Sequence, residues 1–304
     1  MPTKRALLIG AVETTRIAFE AIARHPAWDM AAIVTLDPAL AGRHSDYVDL
    51  EPAARERGCP VIHVDNINRE EALAAIRDAG ADIAFVMGWS QICGPAFRAL
   101  FPDRAIGYHP AALPRLRGRA AIPWTILQQE PITAGTLFWI DAGTDTGDIA
   151  DQQFFHVAPD ETAATLYAKH MRALAVMLDR MLERIAAGEM PRTAQDEGCA
   201  TWAARRTPAD GLIDWRRPAD DVLRLIRAAG HPYPGAFTRL DGADLRIWAA
   251  APSDMGWRHA ALPGQVVART AEGFTILCGQ ATALAVTQWS GPDKPPKLHA
   301  ILGE

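Results

Sequence analysis

The stretch DIAFVMGW, residues 82–89, decides how this chain is read: five apolar residues, 83–87, run without interruption into a glycine and a tryptophan. A short run with no polar alternation is what a strand covered on both faces requires, and the glycine marks a turn at its carboxyl end. Towards the N-terminus, RALLIG (5–10), MAAIVTL (30–36) and PVIHV (60–64) have the same character. Between them, about residues 14–24, 50–57 and 69–79 carry helical apolar spacing. Short β-branched runs alternating with amphipathic helices predict an α/β fold, a doubly wound and mostly parallel sheet. Such sheets place ligands at the carboxyl ends of their strands. Gly10 stands at one such end, but no second or third glycine follows it. The dinucleotide fingerprint is absent, and Gly10 reads as a turn residue.

Towards the C-terminus comes the stretch richest in chemistry, IGYHPAALPRLRGRAAIPWTILQQEPITAGTLFWIDAGTDTGDI, residues 106–149. His109 lies just past the apolar pair Ala105 and Ile106, where a buried strand reaches the edge of a sheet. Asp145 follows 36 residues later among small residues, in AGTDTGD. A loop stiffened by Pro110 and Pro114, three arginines (Arg115, Arg117, Arg119), a helical run and an apolar strand separate them. An imidazole and a carboxylate on two strand-end turns can meet across a cleft, tuning a general base or orienting an attacking amine. On spacing alone, two loop residues that simply meet water are the better fit.

This segment resembles the folate-dependent formyltransferases, the family of the methionyl-tRNA and amino-sugar N-formyltransferases. His109, Leu113-Pro114, Arg117-Gly118 and Asp145-Thr146-Gly147 match its pattern in order and distance. Two positions depart from it: Gly107 stands where the family has an active-site asparagine, and Ala111 replaces a serine. The resemblance implies 10-formyltetrahydrofolate as cofactor and His109 and Asp145 as the catalytic pair. It implies a cofactor wall of Met87, Gly88, Trp89, Ile140 and Asp141, since a glycine after the strand lets a flat pterin ring approach the backbone. Read without the family, Gly88 is a turn glycine and Trp89 a core residue. The loop RGRAAIPW resembles that of the amino-sugar enzymes, which makes Arg119 a candidate for a phosphate or carboxylate of the acceptor. Its other reading is a solvated loop arginine, and Arg115 and Arg117 read as structural or solvated.

Beyond the central stretch, residues 151–157 read as a strand, and Asp160 is expected to cap a helix that runs to about residue 187 and stops at Gly188. Leu166, Leu174, Met177, Leu178, Met181, Leu182 and Ile185 form its apolar stripe. Residues 1–188 are expected to be the catalytic domain. Residues 189–205 lack periodicity and read as a linker; residues 206–304 form a second domain. There a helix near 220–230 precedes the short runs LRIWAA, GQVVART, GFTILCG and ALAVTQW, separated by glycine turns. They predict a small antiparallel β-barrel. RRTPADGLIDW and HPYPGAF resemble the C-terminal domain of the same family, which implies an oligonucleotide-binding-like barrel.

Bulk properties bound the function. The 304 residues are 49% apolar and 22% charged, a globular composition, and no run approaches the ~20 apolar residues of a membrane span. The first apolar run, ALLIGAV, is followed at once by polar residues and reads as a strand rather than a signal peptide. Cys59, Cys93, Cys199 and Cys278 have no metal-like spacing and read as buried free thiols in a reducing cytoplasm. A net charge of −5 weighs against a broad nucleic-acid surface.

The expected reaction is formyl transfer to an amine of a small acceptor, such as a nucleotide-linked amino sugar. The attacking amine must be unprotonated and the developing oxyanion stabilised. Alternatives are a methionyl-tRNA formyltransferase, with tRNA as partner, and a folate- or nucleotide-binding protein whose site is weakened or lost. A homodimer stays open. The loss of one oxyanion donor costs ~100- to 1,000-fold in rate. Glycine at 107 therefore implies that a backbone N–H or a water uses the vacated room, that the chemistry differs, or that catalysis has been lost.

Overall fold

In the computed structural model, which describes residues 3–43, 46–292 and 294–303, strand β1 (Lys4–Ile9) ends in four residues with no exposed surface. Ala6 and Leu8 enter one apolar cluster and Leu7 and Ile9 another, so the strand is buried on both faces and its sequence shows no alternation. In chain order there follow α1 (Glu13–Arg24), β2 (Trp28–Leu36), α2 (Glu51–Glu56), β3 (Val61–Val64), α3 (Glu70–Asp78), β4 (Ile83–Val86), α4 (Pro95–Leu100) and β5 (Ala105–His109). Next come the two-residue β6 (Arg117–Gly118), α5 (Ala121–Leu127), β7 (Ile132–Trp139), β8 (Ile149–His156), α6 (Ala163–Ala186) and the two-residue β9 (Trp202–Ala203).

The main sheet has seven strands in the order β3-β2-β1-β4-β5-β7-β8. The first five are parallel; β7 runs antiparallel to β5, and β8 antiparallel to β7. The cluster around Leu8 is closed by α1, through Phe19 and Ile22, and by α6, through Leu174, Met177, Leu178, Met181, Leu182 and Ile185. The cluster around Leu7 is closed by α3 and α4 through Leu73, Ile76 and Phe97. Each such side chain contributes about 1.5–3 kcal/mol by leaving water. The sheet is thus a rigid floor whose strand ends present Gly10, Met87 to Trp89 and His109.

Helix α6 begins later than its sequence suggests. Asp160 is not its cap: Thr162 and Thr165 exchange hydrogen bonds, Thr165 N–H to Thr162 Oγ1 (3.2 Å) and Thr162 N–H to Thr165 Oγ1 (3.0 Å). This reciprocal pair satisfies donors that the first turn leaves open. Of the cysteines, Cys59, Cys93 and Cys278 are buried, but Cys199 is exposed, against expectation. It sits in a short polar turn whose side chains leave it uncovered.

Two compact units emerge, one of Met1–Ala121, Ile132–His156 and Tyr167–Ala204, the other of Ile122–Pro131, Val157–Leu166 and Arg205–Glu304. Nearly all of the segment expected as a linker, 189–205, therefore packs within the first unit. In the second unit α7 (Ala219–Ala229) covers a sheet of β10 (Ala236–Leu240), β11 (Ala243–Ser253), β12 (Val266–Arg269), β13 (Phe274–Leu277) and β14 (Ala283–Ser290). Its five strands are antiparallel in the order β10-β11-β14-β13-β12. Among the described residues no ladder joins β10 to β12, so the barrel is open on that side. Trp215 anchors its core and donates from Nε1 to Thr238 Oγ1 at 2.9 Å. No described helix is long and apolar enough to cross a membrane.

Candidate active site

His109 is the last residue of β5, and its side chain is only 6% exposed. Its Nε2 lies 2.7 Å from the carbonyl oxygen of Leu116, and its Nδ1 lies 3.4 Å from Asp145 Oδ2. A carbonyl oxygen only accepts, so Nε2 carries a proton and Nδ1 is the ring atom that can exchange one. Asp145 Oδ2 also accepts the Gly118 N–H at 2.8 Å. The two residues that sequence places 36 positions apart are thus brought together, with the loop of residues 110–119 folded over them. Leu116 (φ +55°) and Asp145 (φ +56°) both occupy the left-handed region that side-chain-bearing residues avoid. At Leu116 that turn delivers the carbonyl to the imidazole.

The loop after His109 is pinned from below. Thr136, fully buried on β7, donates to Ala111 O at 2.6 Å, and Gln152 of β8 donates to Leu113 O at 2.8 Å and to Thr136 Oγ1 at 3.0 Å. Arg117 is the most buried charge in the loop, 1% exposed, and forms a two-pronged pair with Glu197, Nη1 to Oε2 at 2.9 Å and Nη2 to Oε1 at 2.6 Å. The hydrogen bonds to Glu197 raise the Arg117 pKa above its usual value and lower that of Glu197. Thr136, Gln152, Gln195 and Glu197 carry no sequence signal of their own. The first two lie on strands, and the last two in the stretch that has no periodicity.

Behind the pair, Tyr108 O–H lies 3.1 Å from Nδ1 of His170, a residue of α6 with no exposed surface. Burial pushes the His170 pKa down to about 3, and the charge on nearby His109 pushes the same way. Burial alone raises the Tyr108 hydroxyl far above its ordinary value. Both groups are therefore neutral at pH 7.

Of the proposed cofactor wall, Trp89 and Ile140 pack on the same apolar cluster. Among the described residues the buried indole N–H of Trp89 has no hydrogen-bond partner. Gly88 (φ +75°) leaves no room for a side chain, since a Cβ would stand 2.1 Å from Val12 Cγ2. Met87 is fully buried, with its N–H on Ile9 O and its carbonyl on Thr15 Oγ1 (2.6 Å); it shapes the strand end rather than offering groups outward. Asp141 is exposed and stays within its own turn, accepting from Gly143 N–H (3.0 Å) and Thr146 Oγ1 (2.7 Å). Arg119 is exposed and donates to Ser90 O at 2.7 Å, next to Trp89. Gly107 faces Phe138 across the β5–β7 ladder, and a Cβ there would lie 2.9 Å from both Cε1 and Cζ of that ring. The room expected beside Gly107 for a water is thus taken by Phe138.

Residues 23–180 match the formyl transferase family, and residues 205–297 match the formyl transferase C-terminal domain. The chain belongs to the formyl transferase family. It is a formyl-transferring enzyme whose one-carbon donor is 10-formyltetrahydrofolate. Methionyl-tRNA formyltransferase of Symbiobacterium thermophilum is 32% identical over 285 residues, 92% of this chain and 86% of that one. The enzyme of the same name from Geobacter metallireducens is 30% identical over 256 residues, covering 84% and 81%. Among solved structures, an N-formyltransferase from Helicobacter canadensis in complex with folinic acid and dTDP-3-aminofucose superposes with a TM-score of 0.68 at 18% identity, over 94% of this chain and 99% of that one. HypX from Aquifex aeolicus in complex with tetrahydrofolic acid gives 0.65 at 18% identity, over 94% of this formyl transferase chain and 44% of that chain. At such identities the likeness is one of fold.

Proposed function

We propose that the chain transfers the formyl group to the amine of a small acceptor, with a nucleotide-linked amino sugar as the first class to test, and that His109 and Asp145 are the reacting pair. The observation that carries this reading is the approach of His109 Nδ1 to Asp145 Oδ2, 3.4 Å, with Nε2 already committed to a loop carbonyl. Trp89 and Ile140 supply an apolar wall, and the unpartnered indole N–H a donor, for the folate ring. The bound folate supplies an activated formyl group. Asp145 holds a carboxylate against Nδ1, so the ring can take a proton there as the amine attacks and become a cation near the developing negative charge. Leu116 keeps the ring from turning. A proton held at Nδ1 would be available, directly or through water, to the nitrogen that leaves when the new amide bond forms.

A second reading, methionyl-tRNA as acceptor, is favoured by the name of the two relatives at 32% and 30% identity. One experiment separates the two. The enzyme is given 10-formyltetrahydrofolate with a dTDP-amino sugar, with methionyl-tRNA, or with no amine, and tetrahydrofolate release is followed. Release only with the sugar supports the first reading. Release with tRNA at rates that fall steeply with salt supports the second. Release without amine makes water the acceptor and sinks both.

A further inference from the structure

Gln195 lies in the stretch between α6 and β9, far in sequence from the catalytic pair, and its side-chain amide touches both halves of the site. Nε2 donates to the carbonyl oxygens of Asp145 (2.9 Å) and Gly147 (2.7 Å). Oε1 accepts from Arg117 Nε (3.1 Å) and Nη2 (2.8 Å). Both N–H groups and both lone pairs of the amide are therefore used. Arg117 is held in turn by Glu197, and the backbone on either side of it is fixed by Arg117 N–H to Thr201 O (2.9 Å) and Arg119 N–H to Ala203 O (3.1 Å). The loop that brings Leu116 O to His109 and Gly118 N–H to Asp145 is thus tied to the same residue that ties the Asp145 turn.

Asp145 sits at φ +56°, a conformation a turn leaves when nothing holds it. Two carbonyls of that turn are held by one amide. We infer that Gln195 is a positioning residue for formyl transfer: it fixes the distance between the Asp145 carboxylate and the His109 ring by clamping the Asp145 turn to the Arg117 loop. This deepens the proposed function and rests on it. Gln195 touches neither donor nor acceptor and acts only through Asp145.

The test uses Gln195→Glu, which keeps an acceptor for Arg117 but removes both donors, and Gln195→Met, which removes both. Displacement of a reacting group by about 1 Å costs on the order of 100-fold in rate, so kcat is expected to fall by about that factor in each, with KM for 10-formyltetrahydrofolate unchanged. In an Asp145→Ala background, Gln195→Met should lower kcat no further, since residues acting through one another are not additive. Wild-type kcat in Gln195→Glu, or losses that multiply in the double variant, would overturn the inference. A second readout needs no turnover: amide exchange at Gly118 should quicken in Gln195→Glu while Arg117 and Arg119 N–H stay protected. If the wild type formylates no amine, the proposed function fails by itself, and unchanged exchange at Gly118 then overturns the clamp.

Discussion

Placing asparagine at position 107 tests whether the site was built around a glycine or merely lost a side chain. The added Cβ would stand 2.9 Å from two carbons of the Phe138 ring and 3.3 Å from Ile140 Cγ1. Carbon atoms normally rest ~3.5–4.0 Å apart, so the ring must move, and overpacking of this kind costs about 1–3 kcal/mol. The new amide also enters a region where Ile106 is 0% and Phe138 7% exposed. Without a partner it adds on the order of 1–3 kcal/mol. The expected total, about 3 kcal/mol, lowers Tm by roughly 6–12 °C for a unit of this size. The assay is urea unfolding of Gly107→Asn, Phe138→Met and the pair together. Methionine is flexible enough to yield where a ring cannot, so the double variant should recover about 1–2 kcal/mol relative to the sum of the singles. Formyl transfer should not rise in Gly107→Asn alone. Stability of Gly107→Asn within about 0.5 kcal/mol of wild type, or strict additivity with Phe138→Met, would refute the steric argument.

Other outcomes follow from single contacts. His109→Ala and Asp145→Asn should each lower kcat by about 100- to 10,000-fold yet leave thermal stabilisation by 5-formyltetrahydrofolate intact; equal loss of that stabilisation would mean these residues bind rather than react. Wild type at a hundred times the dissociation constant of that analogue should gain about 2.7 kcal/mol of stability, and Trp89→Ala clearly less; an equal gain removes Trp89 from the cofactor wall. His170 is held at about pKa 3 by burial, below its ordinary 6.5, so the unfolded chain takes up the proton first. Its contribution to stability is therefore complete above about pH 6.5 and falls by up to about 1.4 kcal/mol per pH unit below it. His170→Leu should flatten stability between pH 6.5 and 5, and an unchanged slope in denaturant unfolding would contradict the assignment.

The parallel half of the sheet was legible in the sequence because β1, β2 and β4 are buried on both faces, and such strands must be written as unbroken apolar runs. The reversal at β7 and β8 was not, since an edge strand's direction depends on what it pairs with. His109 and Asp145 were visible through the family motif around them, since residue type and spacing alone fit solvated loop residues better. Arg117 was visible, but residue type left it open between a structural and a solvated role: its partners, Gln195 and Glu197, lie in a segment whose packing runs through polar side chains and a two-residue ladder. Periodicity detects apolar faces, so a segment that packs in this way resembles a linker. The same limit explains Asp160: its residue type suits a cap, but the exchange between Thr162 and Thr165 closes the helix end better.

Much of the geometry that orients His109 and Asp145 is carried by main-chain atoms. Leu116 O orients the imidazole, Gly118 N–H holds the carboxylate, and the carbonyls of Asp145 and Gly147 receive the clamp. Main-chain groups survive substitution of the side chains they belong to, so the orientation of His109 and Asp145 depends on the turns at Leu116 and Asp145 rather than on the side chain at position 107. What it does not tolerate is a change in the polar contacts that fix those turns, because both lie in a backbone region that relaxes when released. The sensitive positions are therefore Arg117, Gln195 and Glu197, of which only Arg117 belongs to the motif stretch. This predicts a division by distance in sequence as well as in space: substitutions at the partly exposed Ala112 should leave the His109–Asp145 geometry in place, while one at Gln195, fifty residues beyond Asp145, should disturb it.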